Sequence, residues 1–236
     1  MKHLTSFLLL LLVLSFSISA VPVKKTTHKS KTKPKPCTEG TSFRDCVACG
    51  SAVRESFRDL NVLKNRDDAA TDPEEVTVAD IRKKANDSGH FDPSQQVVVT
   101  GYVASLDKGG FQESCNCGRS DLRDIHINIV AKESEQNDKT KFVVVEITPR
   151  WQKKFGMDDS DYNAMLDDVK TQIRHKWVKF EGWMLRDIAH LTESKTTASS
   201  GTPVCTGKKD EPKPCIWRAT PWEVHPVTKY TVVAGP

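Results

Sequence analysis

The feature that most constrains the fold is a strict alternation of apolar and polar side chains in residues 124–130. The apolar set is Ile125, Ile127 and Ile129, and the polar set is Asp124, His126 and Asn128. Successive side chains of a β-strand point to opposite faces, so one face of such a strand suits an apolar core. The segment therefore predicts a strand whose other face carries polar groups.

Four further segments have strand character, and one helix lies between the third and fourth strands. The predicted strands cover 97–104, 124–130, 141–148, 177–185 and 216–233, and the helix ends at about Arg174 after a cap in 158–161. This order, β-β-β-α-β-β, is that of a five-stranded Greek-key barrel of the OB type. The fold class is therefore predicted to be mainly β with helices. The two long loops follow the first and fourth strands, where such barrels hold ligands.

Residues 37–95 are predicted to form a small helical lead-in to a barrel domain over 96–236. Apolar residues recur at helical spacing in 43–66, and Thr77 is a suitable N-cap for a short helix over 78–85. The lead-in is not expected to fold as an independent domain.

Residues 1–20 have the pattern of a secretory signal peptide. Lys2 precedes an apolar run over 7–14, and small residues lead to a predicted cut after Ala20. The run is shorter than the roughly 20 residues that a transmembrane helix needs. The protein is thus predicted to be secreted or periplasmic, with no integral membrane contact and no lipid-bearing cysteine after the cut.

Residues 21–36 are rich in lysine and proline, which predicts a disordered basic linker. The whole chain has a formal charge of +4, and removing the seven lysines of residues 1–36 leaves −3 for residues 37–236. The folded part therefore lacks the strong positive charge that non-specific binding to nucleic acid requires.

Seven cysteines are present, and in an exported chain their usual use is in disulfides. Cys205 and Cys215 bracket a polar segment and are predicted to close a loop. The remaining pairs, Cys46-x-x-Cys49 and Cys115-x-Cys117, allow disulfides, a four-thiolate zinc site or a redox pair. Because the number is odd, one cysteine stays unpaired if all the others pair within the chain.

A polar strip is predicted to cross the second, third and fifth strands. In the last strand, Glu223 and His225 share one face while Trp222 and Val224 share the other. The strip consists of Asp124, His126, Glu146, Glu223 and His225, with Asp187 and His190 entering from the loop after the fourth strand.

Imidazoles and carboxylates in this arrangement can hold a divalent ion such as zinc or manganese, and the predicted ligands are His126, Glu146, His190 and His225. A metal-bound water would be a nucleophile near neutral pH, with Glu146, Glu223 or Asp187 as the catalytic carboxylate. Alternatively, these groups form solvated strand faces, or His225 bonds Asp124 or Glu146 in a purely structural role.

The same surface is also a candidate binding groove, with predicted ligand contacts from Asp124, His126, Asn128, Arg150, Trp183 and Arg218. The guanidinium groups of Arg150, Arg174 and Arg218 could clamp a phosphate. Exposed tryptophans could stack on bases or sugar rings, whereas buried ones would fill the core. Nucleic acid and glycan are therefore the candidate ligand classes.

The chain also contains a series of specific motifs. They include Asp124-x-His126, Thr148-Pro149-Arg150-Trp151, Gly182-Trp183-x3-Asp187-x2-His190 and Trp217-Arg218-Ala219-Thr220-x-Trp222-Glu223-x-His225-Pro226-Val227-Thr228. Over roughly residues 60–230, the series resembles a family of exported bacterial proteins of unassigned function. The resemblance implies a bacterial, exported origin and carries no activity or site with it.

Three functional hypotheses follow from these patterns. The first is an exported OB-like binding module, with its ligand between the two long loops. The second is a metal-dependent hydrolase of the phosphodiesterase or nuclease type, and the third is a structural envelope protein. A serine-hydrolase elbow, a phosphate-binding loop and a zinc-protease helix are all missing from the sequence.

Overall fold

The computed structural model describes residues 40–83, 90–158 and 160–236, and in these ranges the chain forms six strands and four α-helices. The predicted signal peptide and basic linker lie outside the described residues. The elements are α1 Glu55–Lys64, β1 Glu74–Thr77, α2 Val78–Ile81, β2 Gln96–Lys108, β3 Ile125–Val130, β4 Val143–Ile147, α3 Pro149–Lys154, α4 Tyr162–Ile173, β5 Trp177–Arg186 and β6 Trp222–Val233.

Five of the strands close into a barrel in the order β2-β3-β4-β6-β5, and β5 pairs again with β2. The β4–β6 pair is parallel, and the other barrel pairs are antiparallel. The predicted OB-like barrel is therefore confirmed. The short strand β1, which the sequence analysis missed, adds to β2 in parallel.

The alternation seen in the sequence sorts the side chains as predicted. The isoleucines of β3 lie in one buried cluster with Val143, Val145 and Ile147 of β4 and with Trp222 and Val224 of β6. Helix α4 adds its apolar stripe to the same cluster through Met165, Leu166, Val169 and Ile173. The polar sides of β3, β4 and β6 consequently point away from the barrel interior.

Two predicted helix caps are present. The Thr77 hydroxyl and the Asp80 carboxylate form a reciprocal capping box at the start of α2. At α4, Asp161 accepts from the amides of Asn163 and Ala164. Each cap satisfies backbone N–H groups that have no partner within the helix.

The helix predicted over 43–66 is wrong in its first half, because α1 begins only at Glu55. Residues 43–54 instead form turns, in which Arg44 and Asp45 have positive φ angles and Phe43 bridges to Cys46. Disulfide bonds at Cys46 and Cys49 hold this segment. Local apolar spacing cannot reveal such covalent ties.

The structure joins Cys46 to Cys117 and Cys205 to Cys215. The four-thiolate zinc site and the Cys46–Cys49 redox pair are therefore wrong. Among the cysteines in the described ranges, Cys115 has a free thiol, and it is buried. The disulfides are consistent with an oxidising, exported environment. Among the described helices, none combines the length and the apolarity that a bilayer span requires.

We expect Cys115 to react only when the protein unfolds, since burial raises the pKa of its thiol. A thiol reagent added to unreduced protein should label Cys115 slowly under native conditions and rapidly in denaturant. The variant Cys115→Ser should lose this labelling. Rapid native labelling at Cys115, located by peptide mapping, would contradict its burial.

Gly182 lies at an irregularity in the β5–β6 pairing, where the backbones approach closely. A Cβ atom there would lie against the Pro226 carbonyl oxygen and 2.7 Å from Val224 Cγ1. We expect Gly182→Ala to lower the unfolding free energy by about 2–3 kcal/mol through overpacking, as measured by urea denaturation.

Gly156 provides the control for this variant, because its φ angle is +70° but no atom lies within 4 Å of a Cβ built there. The Gly156→Ala variant should cost only about 1–2 kcal/mol, the penalty for a left-handed backbone. If Gly182→Ala were as stable as the wild type, the close approach of β5 to β6 would be wrong.

Candidate functional site

The polar face of β3, β4 and β6 is covered by other parts of the chain. Asp124, Glu146, Glu223 and His225 are each at most 1% exposed, so the alternative of a solvated strand face is wrong. The cover consists of α1, the loop after β2 and the loop after β5. Between these three segments lies a pocket of about 360 Å³. Its lining is Phe57, Leu60, Asn61, Lys64, Gly110, Glu113, Ser114, Cys115, His126, Asp187, Ala189 and His190.

One row of charged side chains crosses the barrel face from the pocket inward. The β3–β4 register places His126 opposite Glu146, with His126 Nε2 3.2 Å from Glu146 Oε1. The other carboxylate oxygen of Glu146 lies 3.1 Å from His225 Nδ1, which is also 3.1 Å from Glu223 Oε1. Arg218 completes the row, with its Nη2 2.7 Å from Glu223 Oε2.

Glu146 and the two imidazoles of this row shift one another's pKa values. Burial disfavours the charged form of both imidazoles, but the Glu146 carboxylate outweighs burial and raises the pKa of His126 to about 9 and that of His225 to about 10. Burial also opposes ionisation of Glu146, yet the two imidazoles hold its pKa well below the usual value. His126 and His225 therefore form ion pairs with Glu146.

A second row runs along one wall of the pocket. Lys64 Nζ of α1 lies 2.6 Å from Asp187 Oδ2, and both groups are buried. His190 Nε2 is 3.8 Å from the same oxygen, and His190 Nδ1 is 2.8 Å from Glu193 Oε2. That oxygen also accepts a hydrogen bond from Trp217 Nε1. Burial opposes ionisation of Asp187, but Lys64 and then His190 lower its pKa.

Three further groups surround His126 at the base of the pocket. Glu113 Oε1 is 3.7 Å from His126 Nε2. The Cys115 thiol lies 3.6 Å from Glu113 Oε2 and 4.0 Å from Asp124 Oδ2. Burial, reinforced by the charge of Glu113, raises the pKa of Asp124 to about 7. Carboxylates thus crowd this end of the first row.

Several buried atoms here have no hydrogen-bond partner within the described part of the chain. They are Asp124 Oδ1, His126 Nε2, Glu146 Oε2, Arg218 Nη1 and His225 Nε2. The Nε2 atom of His126 is close enough to Glu146 for an ion pair but lacks hydrogen-bond geometry. Buried polar atoms in native proteins usually have a hydrogen-bond partner, so these atoms are candidates for contact with a bound group.

The structure brings together three of the four predicted metal ligands, His126, Glu146 and His225, whereas His190 belongs to the second row. The potential ligand atoms of Glu113, Asp124, His126 and Glu146 all lie within 4.8 Å of one another. Those of Glu146, Glu223 and His225 form a second such group. Of the three carboxylates predicted as catalytic candidates, Glu146 and Glu223 lie in the first row and Asp187 lies in the second.

Other predicted ligand contacts lie away from the pocket lining. Asn128 donates to Ser105 and Asp107 of β2, and Arg150 donates to the Thr41 carbonyl oxygen. Trp183 donates to the Asp68 carbonyl oxygen, and the Arg66 guanidinium lies over its ring. Arg218 is fully buried, and Arg174 is exposed at the end of α4. The structure therefore does not gather the three arginines into a phosphate clamp.

The sequence analysis did not assign Lys64, Glu113 or Glu193 to the site. Lys64 lies in a predicted amphipathic helix, where a lysine is most simply explained by solvent exposure. Glu113 and Glu193 belong to loops whose paths cannot be derived from residue patterns. The available signal for each was its position in the sequence. Glu113 lies two residues before Cys115, and Glu193 lies three residues after His190.

We expect Lys64→Met to destabilise the protein by about 3–5 kcal/mol, because it leaves the buried Asp187 carboxylate without its partner. The double variant Lys64→Met/Asp187→Asn should be more stable than Lys64→Met alone, since the unpaired charge is gone. An asparagine can still accept from the Ala189 amide, as Asp187 does. Urea denaturation of Lys64→Met, Asp187→Asn and the double variant gives the coupling energy between the two residues. If the two single losses of unfolding free energy simply add in the double variant, the buried ion pair is contradicted.

Comparisons with known proteins identify no family. No family model and no curated protein matches the chain. Among solved structures, the chain is similar to Entamoeba histolytica asparaginyl-tRNA synthetase at 12% identity, with TM-scores of 0.29 and, for its complex with asparaginyl-adenylate, 0.28. These matches cover 70% of this chain but only 25% and 24% of the synthetase chains. Similarity at this level supports no conclusion about function.

Proposed function

We propose that this protein is an exported OB-like binding module that holds a small polar molecule in the pocket between α1 and the two long loops. The observation that carries the proposal is the covered barrel face. OB barrels bind extended ligands across their second and third strands, between the loops that follow the first and fourth strands. Here those strands are β3 and β4, and residues of α1 line the same pocket as His126 of β3. The space left is about 360 Å³.

A pocket of this size suits one sugar ring or one nucleotide better than a polymer. Its apolar lining includes Phe57, Leu60 and Ala189. Its polar lining includes the imidazoles of His126 and His190 together with the ammonium group of Lys64. An apolar lining with a few fixed polar groups is typical of sites for small molecules.

The tryptophans argue against a groove for single-stranded nucleic acid. Trp151, Trp183 and Trp222 are buried, and the first two donate their indole N–H groups to backbone carbonyl oxygens. Stacking of successive bases needs open aromatic faces along a positive groove. The formal charge of −3 for residues 37–236 favours the same conclusion.

Export remains part of the proposal, as does the relationship to exported bacterial proteins of unassigned function. The signal-peptide pattern and the motif series support them, and the two disulfides are consistent with them.

A hydrolytic function would in addition need a metal ion at the base of the pocket. A purely structural envelope role would leave the pocket without a use.

The ligand class can be tested by calorimetric titration of the mature protein with mononucleotides, monosaccharides and a single-stranded oligonucleotide. We expect a single-unit compound to bind, and the oligonucleotide to bind no more tightly than the matching mononucleotide. Tight, salt-dependent binding of the oligonucleotide would instead indicate an open groove and overturn the proposal.

The variant His190→Asn then tests whether the pocket is the site. His190 lines the pocket, and loss of a hydrogen bond from its imidazole to the ligand should weaken binding about tenfold. His175→Asn is the matched control, because His175 is exposed, is not part of the pocket lining and has a positive φ angle that asparagine tolerates. Equal affinities of the two variants would place the site elsewhere.

A further inference from the structure

We infer that Glu113, Asp124, His126 and Glu146 form a binding site for one divalent transition-metal ion, of the manganese or zinc class, at the base of the pocket. Their potential ligand atoms lie within 4.8 Å of one another. Ligand atoms about 2.1 Å from a tetrahedral ion are about 3.4 Å apart, so movements of about 1 Å would bring the four groups into coordination. This ligand set differs from the one that the sequence predicted, since Glu113 and Asp124 replace His190 and His225.

The unpaired buried atoms are an independent reason for the site. Asp124 Oδ1, His126 Nε2 and Glu146 Oε2 are all buried and lack a hydrogen-bond partner within the described residues. They belong to three of the four proposed ligands. A bound cation would contact the two carboxylate oxygens directly, and it would contact the imidazole nitrogen after displacing its proton to solvent.

The formal charges around the pocket base also favour a cation. The first row and its neighbours contain four carboxylates, those of Glu113, Asp124, Glu146 and Glu223. Their possible cationic partners are Arg218 and the imidazoles of His126 and His225. When His126 coordinates an ion through an unprotonated nitrogen, the four carboxylates exceed the remaining cations, Arg218 and His225, by two, which is the charge of the ion. An uncompensated buried charge is costly, and a divalent ion would offset it.

The surroundings of the site provide both access and support. The side chains of His126 and Glu113 are 15% and 24% exposed and line the pocket, so an ion can enter from solvent. Asp124 and Glu146 lie beneath them. His225 Nδ1 lies 3.1 Å from both Glu146 Oε2 and Glu223 Oε1, which fixes the orientation of Glu146. Such supporting contacts tune the affinity of a metal site.

The inference is tested by titrating EDTA-stripped, dialysed mature protein with Mn²⁺, and separately with Zn²⁺, without any organic ligand. The decrease of the free Mn²⁺ signal in electron paramagnetic resonance counts bound manganese, and calorimetry measures zinc. We expect a single ion per chain, a dissociation constant below about 10 μM and a higher melting temperature with metal. Failure to bind either ion at about 100 μM would overturn the inference.

Two variants locate the ion. Glu146→Gln and Glu113→Gln should each weaken binding at least tenfold, which is the smallest effect expected even for a supporting residue. Glu181→Gln is the matched control, since Glu181 lies in β5 and pairs with Lys229 at 2.8 Å, outside the pocket lining. It should bind metal as the wild type does. Glu113 is in a loop, so its variant decides the question if Glu146→Gln does not fold, as judged by circular dichroism.

Wild-type affinity in both site variants would mean that the ion binds elsewhere, and the inference would fail. The small-molecule proposal is separable from this result, because its titrations can be repeated in EDTA. A protein that binds metal but no small molecule would retain the metal site and lose the proposed function. The reverse outcome would retain the pocket alone.

Discussion

The buried ion pair between Lys64 and Asp187 is the constraint on which the site depends. It joins α1 to the loop after β5 at 2.6 Å, across 123 positions of sequence. Burial of an ion pair is favourable only when close contact and further hydrogen bonds offset the loss of hydration. Here Asp187 also accepts a hydrogen bond from the Ala189 amide. By holding α1 over the barrel face, the pair limits the access of water to the first row of charges. A histidine–carboxylate pair such as His126–Glu146 would be weak in solvent but is strong when so covered.

The covering segments are also tied to one another, which makes the pocket largely preformed. The Cys46–Cys117 disulfide joins the turns before α1 to the loop after β2. Asn65 of the lead-in donates to the Cys115 carbonyl oxygen of that loop at 2.7 Å. A barrel face that elsewhere accepts extended ligands thus becomes a small cavity with fixed walls. Such preorganisation reduces the entropy lost on binding and favours a ligand of one defined size.

The sequence predicted the barrel well because its signals are local. Alternation around Ile127 assigns the two faces of β3, and the chain order of strands and helix leaves few topologies. It also predicted that His126 and Glu146 lie on the same face, which the register confirms. It could not predict the cover, because that depends on contacts distant in sequence, such as Lys64 with Asp187. The short strand β1 was missed because residues 74–77 are mainly acidic or polar and lack strand alternation.

The first row of charges is difficult to explain as a device for stability alone. Replacing a buried ion-pair network with well-packed apolar side chains is often neutral or stabilising. A structural network would also be expected to satisfy its own atoms, whereas Glu146 Oε2 and His225 Nε2 remain without hydrogen bonds in the described chain. Three of the atoms without hydrogen bonds, moreover, belong to Asp124, His126 and Glu146, and His126 is the one imidazole of the row that solvent can reach. A network arranged in this way is suited to receiving something from the pocket, and that is the physical argument for a binding function.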